Sequence, residues 1–127
     1  MRVADAPVGR LATITAGGRP HLVPCCFVLA GERIYTAVDA KPKSTLALRR
    51  LDNIAAHPEV ALLVDHYDED WADLWWVRVD GTALVCESTA GRAEALAALA
   101  AKYQQYRESV PPGPVVVVEI TRWQWWP

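Results

Sequence analysis

Three strand-like runs, separated by glycine-centred turns, come before the first helical pattern in this chain. In Gly9–Thr15, Leu11, Thr13 and Thr15 alternate with Ala12 and Ile14, the period-2 signature of a half-buried strand. Ala16-Gly17-Gly18-Arg19 then reads as a tight hairpin. His21–Leu29 is a second strand, and Pro24 within it implies an edge position or a bulge, because proline has no N–H for the ladder. Ala30-Gly31-Glu32 turns the chain into a third strand, Arg33–Val38. Ser44 is a suitable N-cap for a helix reaching about Ala56, with Ala47, Leu48, Leu51, Ile54 and Ala55 as its buried stripe; His57-Pro58 ends it. Glu59–Tyr67 and Leu74–Cys86 follow as strands, the second with a kink at Gly81. Thr89–Tyr106 is an alanine-rich helix with Ala93, Leu96, Ala100 and Tyr103 along one side. After the stiff connector Val110–Pro114, Val115–Thr121 is the last strand, and the sequence RWQWWP follows it.

This order is not α/β alternation, and no GxGxxG is present, so a dinucleotide-binding sheet is excluded. The expected fold is mainly β: one domain over residues 1–127, built as a six-stranded antiparallel split β-barrel with two helices. A chain of 127 residues with 52% hydrophobic content can build a core. It would still leave about a third of its extended-chain surface exposed, and a dimer would bury more.

Charge and cysteine usage remove several function classes. A formal net charge of -2 argues against a general nucleic-acid binder. No apolar run approaches the roughly 20 residues of a membrane span, and MRVADAPVGR lacks a signal-peptide core, so a cytoplasmic location is expected. Cys25, Cys26 and Cys86 make a poor disulfide framework, and neither they nor His21, His57 and His66 have metal-site spacing. No Ser-His-Asp or Cys-His arrangement is visible, so no metal and no catalytic side chain is expected. Any chemistry is assigned to a cofactor.

Two segments are candidates for holding one. In Asp39-Ala-Lys-Pro-Lys-Ser-Thr45, Lys41 and Lys43 stand just before a helix start, where free backbone N–H groups and the helix dipole favour an anion. The Ser44 and Thr45 hydroxyls add donors, making either a phosphate site or an exposed basic loop with a serine cap. Arg49 and Arg50 continue the basic patch. In Trp75-Trp76-Val77-Arg78, strand alternation puts Trp76 and Arg78 on one face, suited to a planar anionic ligand or a subunit contact, or leaves both tryptophans to the core. Trp123, Trp125 and Trp126 bring the tryptophan count to six, more than a soluble monomer readily leaves exposed near one end.

The run Arg10-Leu-Ala-Thr13 followed by Gly18-Arg-Pro-His-Leu-Val-Pro24 resembles the opening hairpin of the pyridoxamine 5'-phosphate oxidase-like, FMN-binding split-barrel superfamily. Tyr35–Lys43, Leu62–Tyr67 and Leu74–Gly81 are similar to its F420-dependent oxidoreductase branch. The resemblance covers nearly the whole chain. It implies an oxidoreductase that moves a hydride between coenzyme F420 and a small-molecule substrate, with the cofactor held at a homodimer interface. The alternatives are an FMN-dependent reductase or oxidase, or a non-catalytic module that holds flavin or haem. The resemblance points to Lys43, with Lys41, for the cofactor phosphate, and to Ser44 and Thr45 for added hydrogen bonds. Pro24, Cys25 and Thr36 would floor the ring system, and Trp76, Arg78 and Trp123 would close the site from the partner subunit. Two features depart from the family pattern. The chain begins almost at its first strand, where many relatives carry a helix, and the arginine-rich phosphate motif of pyridoxamine phosphate oxidases is absent.

Overall fold

A computed structural model describes residues 2–38 and 45–126. Seven strands form one antiparallel sheet: β1 (Gly9–Ile14), β2 (Pro20–Cys25), β3 (Val28–Ala30), β4 (Arg33–Ala37), β5 (Glu59–His66), β6 (Trp75–Cys86) and β7 (Val115–Trp126). Their order across the sheet is β2-β1-β5-β6-β7-β4-β3. The two edge strands are therefore consecutive in the chain, joined only by Cys26 and Phe27, and the sheet must curl until its edges meet at that corner. The expected mainly β, barrel-like architecture stands, with one strand more than the six expected. The run His21–Leu29 is two strands because its halves have different partners: β2 pairs with β1, β3 with β4. Pro24 lies on β2, an edge strand, as proline requires.

Local chemistry sets the turns. The β1–β2 hairpin closes through Thr15, whose N–H reaches the Arg19 carbonyl (2.8 Å) and whose hydroxyl accepts from the Arg19 N–H (3.0 Å). Gly18 takes the left-handed conformation there (φ 82°), which costs glycine little. The kink expected at Gly81 is a β-bulge against β7: Asp80 pairs with Arg122 and Gly81 with Ile120, so Thr121 is the extra residue. A Cβ on Gly81 would stand 2.5 Å from the Glu119 carbonyl oxygen, so only glycine fits this approach. Beyond the bulge the pairing resumes, and the residues expected as a separate tail continue β7 to Trp126 opposite Trp76.

The inner face of the curl holds Leu11, Phe27, Ile34, Leu62, Val64, Val79, Val116 and Val118, all at most 2% exposed. Two helices plug it. α1 (Arg2–Asp5), which sequence reading missed, inserts Val3, and α2 (Thr45–Ala56) inserts Ile54. α2 also turns Asn53 inward, where its amide donates to the Thr13 hydroxyl (3.1 Å), while Ala55, expected in its buried stripe, is exposed.

A second cluster lies outside the sheet, where α3 (Thr89–Lys102) covers Tyr35, Ala37 and Val115 with Ala95 and Leu99. Ser88 caps α3 by accepting from the Gly91 N–H. The buried stripe runs through Ala95 and Leu99 rather than Ala93, which is exposed. The helix expected to reach Tyr106 breaks at Tyr103, which takes an extended conformation (φ -116°, ψ 122°), and α4 (Gln104–Glu108) follows.

That break serves the corner between β2 and β3. The Tyr103 hydroxyl accepts from the Phe27 N–H (3.0 Å) and donates to the carbonyl of Pro7 (2.8 Å) or Phe27 (2.9 Å). Lys102 donates to the carbonyls of Ala6 (2.7 Å) and Phe27 (2.8 Å) and lies over the Phe27 ring. Burial lowers the Lys102 ammonium below the ordinary lysine value. Burial also pushes the Tyr103 phenol up to about 12.

Candidate functional site

Strand alternation sorts the candidate residues onto two faces. Pro24 on β2 and Trp76 and Arg78 on β6 point outward; Trp75 and Val77 pack into the core, which settles which of the two faces is buried. Cys25 and Thr36 are buried on the inner side, at 8% and 2% exposure, and the Thr36 hydroxyl donates to the Cys26 carbonyl (2.7 Å), bracing the β2–β3 corner. Trp123, half-buried, packs against the same core. Lys41, Lys43 and Ser44 lie outside the described residues, and Thr45 is the first residue of α2.

The outer face of β1, β2, β5 and β6 has no helix over it among the described residues. Across it, Arg10 is opposite both Pro24 and Leu63, and Leu63 is opposite Arg78, which faces Gln124 of β7. An open groove of about 490 Å³ runs over this face between Leu22, Ala61, Leu63, Trp76 and Arg78. Its floor is apolar. Leu22 is 66% exposed on it, and Leu84 is 67% exposed further along β6. The two guanidinium groups at the groove are already engaged. Arg10 pairs with Asp65 (3.1 Å), and Arg78 donates from Nε to Asp80 (3.0 Å) and from a terminal nitrogen to Gln124. Arg78 is thus fixed in orientation and its charge is balanced, so it can position a ring more readily than capture an anion.

Charge for an anion has to come from elsewhere. Among the described residues, two buried nitrogen atoms lack a hydrogen-bond partner: His21 Nδ1 and Arg50 Nε. Arg50 sits on α2, five residues after Thr45, with the exposed Arg49 beside it. An unpartnered guanidinium nitrogen on this helix fits a phosphate-bearing ligand. Sequence reading placed Arg50 in the basic patch that continues from the candidate phosphate segment, with a solvated surface as the commoner case. No pattern in the sequence marks its Nε as buried.

Separation along the strands matters most. β4 ends at Ala37, the last strand residue before the basic segment; Ala37 is opposite Val115, and Val115 is opposite Cys86. Trp76 lies ten residues back along β6, roughly 30 Å away at strand rise. Trp76 and the strand end that leads into the basic segment therefore occupy opposite ends of one protomer's sheet. No group of three or more His, Cys, Asp or Glu residues able to hold a metal occurs among the described residues. None of the described helices is long and apolar enough to cross a membrane.

The sequence profile described as pyridoxamine 5'-phosphate oxidase matches residues 2–127. Among solved structures, the fold is similar to a conserved hypothetical protein from Mycobacterium tuberculosis, with a TM-score of 0.78, 22% identity, and 98% of this chain and 79% of that chain covered. It is similar to a heme binding protein from Mycobacterium smegmatis, with a TM-score of 0.77, 22% identity, and 98% and 50% covered. It is also similar to a FAD-binding protein from Mesorhizobium loti, with a TM-score of 0.71, 20% identity, and 97% and 87% covered. A search of curated proteins finds no match.

Proposed function

The chain belongs to the pyridoxamine 5'-phosphate oxidase family, and from that premise we propose that it is an oxidoreductase that binds a flavin-class cofactor, coenzyme F420 in preference to FMN, between two copies of itself. The observation that carries this reading is the uncovered apolar face where Trp76 and an immobilised Arg78 stand, at the far end of the sheet from the strand end that leads into the basic segment. The end of β4 lies roughly 30 Å from Trp76 along the sheet, which favours one copy supplying the anchor and the other the aromatic wall.

The preference for F420 rests on the resemblance of Tyr35–Lys43, Leu62–Tyr67 and Leu74–Gly81 to that branch. Binding of flavin by one fold neighbour, named as FAD-binding, is compatible with it. When bound, such a cofactor supplies hydride transfer. The chain's own residues hold and orient it. Lys41, Lys43 and Arg50 meet the phosphate, and Ser44 and Thr45 add donors. Trp76 packs on the ring and Arg78 fixes its edge. Pro24 lines the floor, with Cys25 and Thr36 supporting it from beneath through the backbone of β2 and β4. Trp123 holds β7 against β6 behind the wall. Leu22 and Leu84, exposed on the same face, are covered by the second copy.

The test is a titration with F420, FMN and haem in parallel, followed by ligand absorbance and fluorescence, with sedimentation of the same samples. Micromolar F420 binding to a dimer, with weaker FMN, supports the proposal. Preference for FMN moves the cofactor assignment to flavin. A shifted haem absorption band with no flavin binding supports a non-catalytic module instead. Binding of none of the three, or tight binding by a monomer, overturns the shared-site reading.

A further inference from the structure

At the end of the sheet where β5 and β7 finish and β6 begins, a second pocket of about 350 Å³ is walled mainly by rings. Tyr67, Trp75, Trp76 and Trp126 line it with His66, Leu74 and Asp65. Its frame is the sheet itself: Asp65 is opposite Trp76, His66 opposite Trp75, and Trp76 opposite Trp126. His66 stacks on Trp75 at 6.0 Å and 18° between planes, which holds that wall in place. Tyr67 and Trp126 are 69% and 59% exposed, so their faces are open to a ligand.

The carboxylates placed at this pocket are Asp65, in its wall, and Asp68, 3.9 Å from His66 Nε2. The loop that follows β5 adds Glu69, Asp70 and Asp73 in sequence, and residues 65–77 contain no lysine or arginine. Within this stretch Asp68 accepts from the Asp70 N–H and Asp70 from the Ala72 N–H, which sets the turns of the acidic loop. The one arginine recorded in an ion pair at the wall is Arg10 on β1, with Asp65 at 3.1 Å. A phosphate-bearing ligand is repelled here. A neutral ligand makes no use of the carboxylates. The electron-rich faces of several aromatic rings beside Asp65 and Asp68 complement one chemical class, a small organic cation with a methylated, weakly hydrated ammonium group.

We propose that this pocket binds such a cation, with the rings of Trp76, Trp126 and Tyr67 around the ammonium group and Asp65 at its edge. The pocket shares Trp76 and Asp65 with the groove proposed for the cofactor ring, and its walls Tyr67 and Trp126 lie outside that groove.

The test uses choline as probe and 3,3-dimethylbutan-1-ol as its uncharged isostere, at constant ionic strength, followed by tryptophan fluorescence and ligand NMR on the intact protein. Choline is expected to saturate in the millimolar range and to bind roughly tenfold more tightly than the isostere. Trp126→Leu keeps an apolar side chain at an exposed position and is expected to lose most of that binding with an unchanged melting temperature. Asp65→Asn is expected to weaken choline and leave the isostere unaffected. Equal affinity for the two probes would show an apolar pocket only and overturn the proposal. So would choline binding untouched by Trp126→Leu, or no saturable binding. If Trp126→Leu fails to fold, Tyr67→Leu, at a residue just beyond the end of β5, reads the same wall.

Discussion

Tyr103→Phe isolates the clamp on the β2–β3 corner. The substitution keeps the ring and removes one oxygen, which serves the Phe27 N–H at 3.0 Å and a carbonyl of Pro7 or Phe27. Lys102 continues to donate to the Phe27 carbonyl, so the group left most exposed to loss is the N–H of a residue that is 0% exposed. A buried donor left unpaired costs about 1–3 kcal/mol. For a chain of this size a loss of about 2 kcal/mol lowers the melting temperature by roughly 5–10 °C. A second reading of the same variant comes from pH. The folded phenol sits at about 12 against an ordinary value of 10.0. Between those values the folded chain keeps a proton that the unfolded chain has released, so stability falls as pH rises through this window. Tyr103→Phe has no proton to lose. Urea titrations of both proteins from pH 7 to pH 12 are therefore expected to show the variant weaker at neutral pH and the gap narrowing above about pH 10. A variant as stable as the parent at pH 7 would refute the clamp. A gap that stays constant to pH 12 would refute the assignment of the raised phenol.

Other substitutions probe other layers. Leu99→Ala, at a position wholly buried under α3, is expected to cost about 2–5 kcal/mol in urea unfolding; a loss below that range would mean that α3 relaxes onto the sheet. Gly81→Ala drives a Cβ to 2.5 Å from the Glu119 carbonyl and is expected to cost about 1–3 kcal/mol, with amide exchange at Thr121 rising as the bulge gives way. Truncation after Thr121 removes Trp123 from the core and the β6 pairings from Trp76 to Asp80, so it is expected to lower the stability of the fold as well as dimerisation. A truncated chain with an unchanged urea midpoint would contradict the pairing. Lys43→Ala is expected to weaken cofactor binding by about 1.5–3 kcal/mol in the F420 titration, and unchanged affinity would remove Lys43 from the site.

Local chemistry made much of this molecule legible. Period-2 patterning separated Trp76 and Arg78 from Trp75 and Val77 without fixing which pair is core, proline logic gave Pro24 an edge or a bulge, and Gly81 marked a kink that is a bulge. What was missed depends on partners far away in sequence. Nothing between His21 and Leu29 says that its halves pair with opposite ends of the sheet, because Cys26 and Phe27 carry no turn signal. Their corner is held by Thr36, Lys102 and Tyr103 instead. The same Tyr103 contact ends α3, although alanine-rich propensity would carry the helix on. Trp123–Trp126 read as a tail because the bulge at Thr121 reverses the alternation on which a strand is recognised. At the candidate site, Trp76 and Arg50 were named from the sequence, and the burial of an unpartnered Arg50 Nε was not legible there.

The place of β7 in the sheet bears on how the protein is made. It lies between β6 and β4, yet it is translated after every other strand described. While it is still inside the ribosome, the nascent chain holds two sheet fragments with no strand pairing between them, β2-β1-β5-β6 and β4-β3, each ending in an unpaired strand. The β6 edge alone is twelve residues long. Arg33 meets its partner Glu119 only after 86 further residues have been added, so closing this ladder is a late, long-range event. Such edges recruit other chains. The yield of folded protein should therefore respond to whatever shields β6 during synthesis, such as a trigger-factor-type chaperone or slower growth at low temperature, more than to the stability of the finished sheet.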